Sequence, residues 1–143
     1  MSEPMKPPVA APCASCPYRR DVPSGVWAAD EYDKLPTYDG DTGEQAMNGA
    51  FGMFGCHQQD GRACAGWVGC HDMIQNLALR LAASSGQVAE DDIDAFLDYE
   101  TKVPLFSSGA EAAEHGKADL EHPGDDAKKV VGRLSRKLDL DYR

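Results

Sequence analysis

Cys13, Cys16, Cys56, Cys64 and Cys70 are the residues whose type and spacing could do chemistry in this chain, and two of them precede a histidine directly, in Cys56-His57 and Cys70-His71. They read as Cys13-x2-Cys16, a gap of 39 residues, then Cys56-His57 and Cys64-x5-Cys70-His71. An odd cysteine count without an export signal does not build a disulfide framework, and in a reducing compartment such a cluster serves metal or redox chemistry. A Cys-x2-Cys turn is tight enough to present two thiolates to one ion while its amides hydrogen-bond the sulfurs. The remaining ligands must come from the later group. The assignment taken forward is Cys13, Cys16, Cys56 and Cys64, with Cys70, His57 and His71 in reserve. Burial as a small hydrophobe explains any single free cysteine. It does not explain a set with a Cys-x2-Cys turn and two Cys-His steps.

Four thiolates, or three and an imidazole, make a closed tetrahedral zinc site, and a small domain with a thin core gains folding energy from one. A [4Fe–4S] cluster also takes four thiolates, and Pro17 directly after Cys16 is similar to the Cys-Pro step of some ferredoxin motifs. Zinc is preferred because it is the commoner staple of small cytosolic domains; the cluster is the alternative. Other chemistries fit less well. A redox dithiol at Cys13-Ala14-Ser15-Cys16, with Arg19 and Arg20 lowering its pKa, lacks a surrounding βαβ pattern. Pro12-Cys13-x2-Cys16 matches half of the zinc deaminase signature, but no His-x-Glu precedes it. A thiol nucleophile built from Cys64 with His57 or His71 is outweighed by the density of cysteines. Nucleotide-binding loops and zinc-protease motifs are missing from the sequence.

The elements that must position the thiols are short. Residues 1–11 form a proline-rich arm, read as flexible, leading into a cysteine-rich region over 12–72. Ser24 can cap a helix over about 25–35, with Ala28, Tyr32 and Leu35 on one face and Pro36 ending it. Residues 37–49 read as an exposed loop, and the apolar run 51–57 as a short strand or hairpin arm delivering Cys56. Residues 73–143 read as mainly helical. Asp72 caps a helix with Ile74, Leu77, Ala78, Leu81 and Ala82 inward, closed by Gly86. A second runs over about 90–99 with Ile93, Phe96 and Leu97 inward. A short helix ends near His115, and a last one opens at Pro123 with Val130, Val131, Leu134 and Leu138 on one side. The fold class expected is a small single-domain α+β protein whose N-terminal half a metal organises.

The chain of 143 residues carries 14 Lys and Arg against 24 Asp and Glu, a net charge of −10. That balance argues against wrapping nucleic acid or an anionic membrane. No apolar run is long enough to span a bilayer, and the N-terminus has no apolar core of a secretory signal, so the expected location is the cytoplasm. Charge is uneven: residues 90–126 hold 12 acidic and 2 basic side chains, residues 128–143 hold 6 basic and 2 acidic. Such runs are usually solvated faces, and the sharper reading makes the basic helix a docking element for an acidic partner. Trp27 and Trp67 could stack on a base, but in a small domain they read first as core or as walls of the site. Arg19 and Arg20 read as offsets for thiolate charge or partners of Asp21.

Pro12-Cys13-x2-Cys16-Pro17-Tyr18-Arg19, Asp21-Val22-Pro23-Ser24-Gly25-Val26-Trp27, Cys56-His57-Gln58 and Cys64-Ala65-Gly66-Trp67 resemble an uncharacterised family of small actinobacterial and actinobacteriophage proteins. The resemblance covers about residues 12–72 and implies an intracellular protein of bacterial or phage origin. It supplies no activity. The expected function is a small cytosolic metal-binding protein, zinc before iron–sulfur, that acts by binding another macromolecule, first of all a protein. The second expectation is a [4Fe–4S] redox or sensor protein acting on transcription. A nucleic-acid enzyme using Arg19, Arg20 and the tryptophans ranks last, because no catalytic set is assembled.

Overall fold

Short helical segments, three of them begun by a side-chain cap, make up the regular structure of the described residues. The computed structural model describes residues 4–56 and 61–138, with side chains as far as Arg133. In order come α1 (Ala29–Lys34), α2 (Thr42–Met47), α3 (Ala65–Cys70), α4 (Leu77–Ser85), α5 (Ile93–Leu97), α6 (Gly109–Lys117) and α7 (Asp125–Leu138). Single 3-10 turns lie at Leu35–Tyr38, Met73–Gln75 and Glu90–Asp92. Among the described residues no strand or sheet forms. There are only isolated bridges, Lys6 with Arg62, Arg19 with Leu105 and Gly55 with Ala63. The α+β expectation, with its short strand or hairpin, is therefore wrong: the fold is helical. The run after residue 50 fails as a strand because Gly52 and Gly55 interrupt it, and it closes one antiparallel bridge before turning away.

Side-chain caps mark the starts of α2, α4 and α6. α2 lies in the stretch expected to be loop, where Asp41 accepts from the Glu44 amide at 2.8 Å and Glu44 accepts from the Asp41 amide at 3.3 Å. That reciprocal pair is a capping box. Ser24 does not cap α1, because its hydroxyl donates to the Gly116 carbonyl at 3.1 Å and accepts from the Asp119 amide at 2.8 Å. The Tyr32 hydroxyl meanwhile accepts from the amides of Val26 and Trp27. α1 thus starts four residues later than expected, and Pro36 sits inside the 3-10 turn that continues it. Asp72 caps only the turn at Met73–Gln75; Asn76 caps α4, and Gly86, in the left-handed region, closes it. The inward face is Ala78, Leu79 and Ala82, while Ile74 and Leu81 are exposed.

The second half follows its pattern more closely. α5 buries Phe96 completely and packs Ile93, but Leu97 is exposed. Ser108 caps α6 through the Glu111 amide. α7 buries Ala127 and Val130, with Val131 packed against the core; the side chains of Leu134 and Leu138 lie outside the described residues. α6 presents Gly109, Ala112, Ala113 and Gly116 to α1 and the turn after it. This small-residue face lets Tyr32 lie flat on the helix: a Cβ at Gly116 would overlap its ring. No described helix is long and apolar enough to cross a membrane.

Candidate thiol site

The Cys13–Cys16 turn is fixed from four directions by hydrogen bonds. The Cys16 amide donates to the Cys13 carbonyl at 3.0 Å and the Arg19 amide to the Cys16 carbonyl at 3.1 Å. Trp27 Nε1 donates to the Ser15 carbonyl at 2.8 Å, and Arg19 Nη1 to the Pro12 carbonyl at 3.0 Å. Cys56 and Cys64 come from a loop that doubles back. The Cys56 amide donates to the Arg62 carbonyl at 2.9 Å, and the Cys64 amide to the Phe54 carbonyl at 2.8 Å. The proline-rich arm pairs alongside residues 61–63, with Lys6 bonded to Gly61 and Ala63, and Arg62 Nη1 donates to the Pro7 carbonyl. The Tyr99 hydroxyl reaches the Val9 and Ala10 carbonyls.

These segments bring the thiols of Cys16 and Cys64 into contact. Cys16 Sγ stands 3.9 Å from Cys64 Sγ, both fully buried. The Cys13 thiol lies 3.8 Å from the Ser15 hydroxyl. Among the described residues, no three His, Cys, Asp or Glu side chains are grouped as they stand in a way that could hold a metal ion. α3 can lie on Cys16 only because residue 66 is glycine, where a Cβ would overlap the Cys16 sulfur.

Neighbouring thiols act on one another in both directions, and at Cys13 and Cys16 the balance is upward. Cys16 raises the Cys13 thiol, with the Cys56 thiol working against it and burial adding to it. At Cys16 the Cys13 thiol and the Tyr18 amide favour the thiolate. The Cys64 thiol and burial outweigh them, so Cys16 is pushed well up. Cys70 is set apart: burial, with the Asp39 charge behind it, pushes its thiol up to about 12.

His71 is fully engaged. Its Nδ1 lies 3.0 Å from the Trp67 carbonyl and its Nε2 3.0 Å from Asp39 Oδ1, two acceptors that leave no ring lone pair facing the thiols. Burial alone would raise the Asp39 carboxyl, but the His71 bond and the amides of Gly109 and Ala110 hold it below its ordinary value. His57 lies outside the described residues.

Trp67 is fully buried and Trp27 nearly so, as walls of this region. Arg19 pairs with Asp21 at 2.7 Å, as the sequence reading allowed; Arg20 pairs instead with Glu111 at 2.8 Å. The sequence reading missed the roles of Ser15, Gly66 and Asp39. Only the indole's need for a hydrogen-bond acceptor pointed towards Ser15.

The family of unknown function DUF6283 matches residues 8–136, so the chain belongs to that family. No curated protein and no solved structure matches the chain.

Proposed function

We propose that this member of DUF6283 is a cytoplasmic zinc-binding protein, in which Cys13, Cys16, Cys56 and Cys64 close around one ion and the stapled surface binds a partner protein. The observation that carries the reading is the 3.9 Å between Cys16 Sγ and Cys64 Sγ, delivered from segments 48 residues apart. Zinc–thiolate bonds of about 2.3 Å in a tetrahedron set neighbouring sulfurs roughly 3.8 Å apart. In a [4Fe–4S] cube each thiolate binds a different iron, so its sulfurs stand well outside mutual contact, and the spacing favours zinc. The pKa directions support the same reading. The thiols of Cys13 and Cys16 are both pushed above the ordinary value, and a divalent cation is the group that would make thiolates stable there. Binding would add Cys13 and Cys56, which are only half-buried, to the Cys16–Cys64 pair. Cys70 and His71 stay outside it, one as a packed thiol and the other held by Trp67 and Asp39.

Elemental analysis with a UV–visible spectrum on protein purified anaerobically, without added metal, tests the proposal. One zinc per chain and a colourless protein are expected. Iron with sulfide and a brown colour would replace zinc by a redox or sensor cluster. Neither metal would end the ligand reading and return the cysteines to packing.

A further inference from the structure

The Cys13–Cys16 turn contributes Ala14 to a groove of about 540 Å³ between the segment 20–23, α6 and α7. Three cations reach it, Arg20 from one wall and Lys129 and Arg133 from the other. Lys129 and Arg133 stand four residues apart and share one face of α7. Among the described residues neither forms an ion pair. The groove also has two carboxylates. Asp21 is closed off by Arg19, which donates to both its oxygens at 2.8 and 2.7 Å, and Arg20 is paired with Glu111, so Asp126 is the groove carboxylate left to face Lys129 and Arg133. Arg20 is held in place: it donates to the Leu105 carbonyl at 2.9 Å and to Glu111 at 2.8 Å, and lies over the Phe106 ring. Val22, Pro23 and Val130 give the groove an apolar floor.

We infer that this groove docks a short acidic segment of a partner protein, with carboxylates on Lys129 and Arg133 and apolar side chains over the floor. Charge complementarity selects that occupant. The chain carries −10 overall, with 12 acidic against 2 basic residues over 90–126. A long polyanion such as nucleic acid would meet that repulsion as soon as it left the groove, whereas a short acidic segment meets the cations alone. Guanidinium and ammonium groups suit carboxylates, and the apolar floor suits a peptide better than a bare anion. The inference rests on the reading of the protein as an interaction module and not on the identity of its metal.

The test is fluorescence anisotropy with a labelled peptide of alternating glutamate and leucine, compared with its glutamine counterpart, on the full chain. Saturable binding of the glutamate peptide is expected, weakening as salt rises. The Lys129→Glu/Arg133→Glu double variant should lose at least about tenfold in affinity with an unchanged far-UV circular dichroism spectrum, and Lys129→Gln/Arg133→Gln should lose less. Equal binding of the glutamine peptide, or an unaffected double variant, would overturn the inference. Tighter binding of single-stranded DNA, or peptide-independent dimerisation lost in the double variant, would overturn it too. Metal content read on the same samples separates the two proposals. Peptide binding by a metal-free protein leaves the groove standing and removes the staple, and a zinc-loaded protein blind to the peptide does the reverse.

Discussion

Where α6 lies on α1, glycine and alanine make a flat face, and Tyr32 and Leu35 fill it without a void. Around the thiols the close approach is confined to Gly66 on the Cys16 sulfur. Turns from residues 12–19, 54–56 and 62–66 are held by single backbone bonds, one indole, the guanidiniums of Arg19 and Arg62 and the Cys16–Cys64 contact. The first region draws its stability from close packing, which needs no ligand. The second fixes many residues outside regular structure and has to offset their conformational entropy with buried side chains and isolated hydrogen bonds. That difference is what a structural metal would exploit, and it ranks the changes that follow.

The largest effect should come from Cys16→Ser. On the zinc reading the variant loses its metal and at least about 3 kcal/mol, on the scale of removing a native cross-link from a small domain. Elemental analysis and thermal melts check it, and full metal content with a wild-type midpoint would remove the staple from the comparison. Next is Gly116→Ala. The new methyl overlaps the Tyr32 ring, and that ring has no room to move at 2% exposure. The expected loss is about 1–3 kcal/mol, despite alanine's better helix propensity, with metal content unchanged. A melt equal to wild type would mean that the α1–α6 contact is looser than its geometry.

Trp27→Phe comes third. It removes the donor to the buried Ser15 carbonyl, at a cost of about 1–2 kcal/mol. Its signature should be faster loss of metal to a chelator, since the indole anchors the Cys13–Cys16 turn. An unchanged exchange rate would show that the turn holds itself.

Asp39 joins the two regions, because His71 ties it to the end of α3 and the amides of Gly109 and Ala110 place it at the start of α6. Its carboxyl is held below the ordinary 3.8. A depressed folded-state value contributes stability that is present above the unfolded value and lost as pH falls through the folded one. Wild type should therefore lose about 1 kcal/mol more than Asp39→Asn on acidification below about pH 4. Parallel pH profiles of the two in chemical denaturation would show that the carboxylate contributes nothing across the joint.

The sequence announced the thiols through residue type and spacing, since a Cys-x2-Cys turn is a local feature. It announced a short helix ending near His115 and the end of α4 at Gly86, though not the Ser108 cap of α6. It hid whatever depends on distant partners. Ser24 looks like a cap but is taken by Gly116 and Asp119, more than ninety residues away, and that delays α1. The α2 capping box was legible at Asp41 and Glu44 but was masked by the glycines and polar residues around it. The run 51–56 has the apolar content of a strand, and its failure to make one turns on two glycines and a loop that gives it one bridging partner. His71 looked like a spare ligand because nothing local reveals that Asp39 holds it.

The smallest effect sharpens the same lesson at α4. A helix capped at Asp72 would carry Ile74 inward, but Asn76 is the true cap, and the 3-10 turn before it leaves Ile74 63% exposed, with Leu79 buried on the helix proper. An exposed isoleucine outside the core costs little to replace, so Ile74→Ser should shift stability by no more than about 0.5 kcal/mol. The measurement is a urea titration beside wild type, in which the midpoint should move little and the slope not at all. A loss above about 1 kcal/mol would mean that Ile74 packs in solution. The turn at residues 73–75 would then belong to the helix, and the phase of α4 would follow Asp72 rather than Asn76.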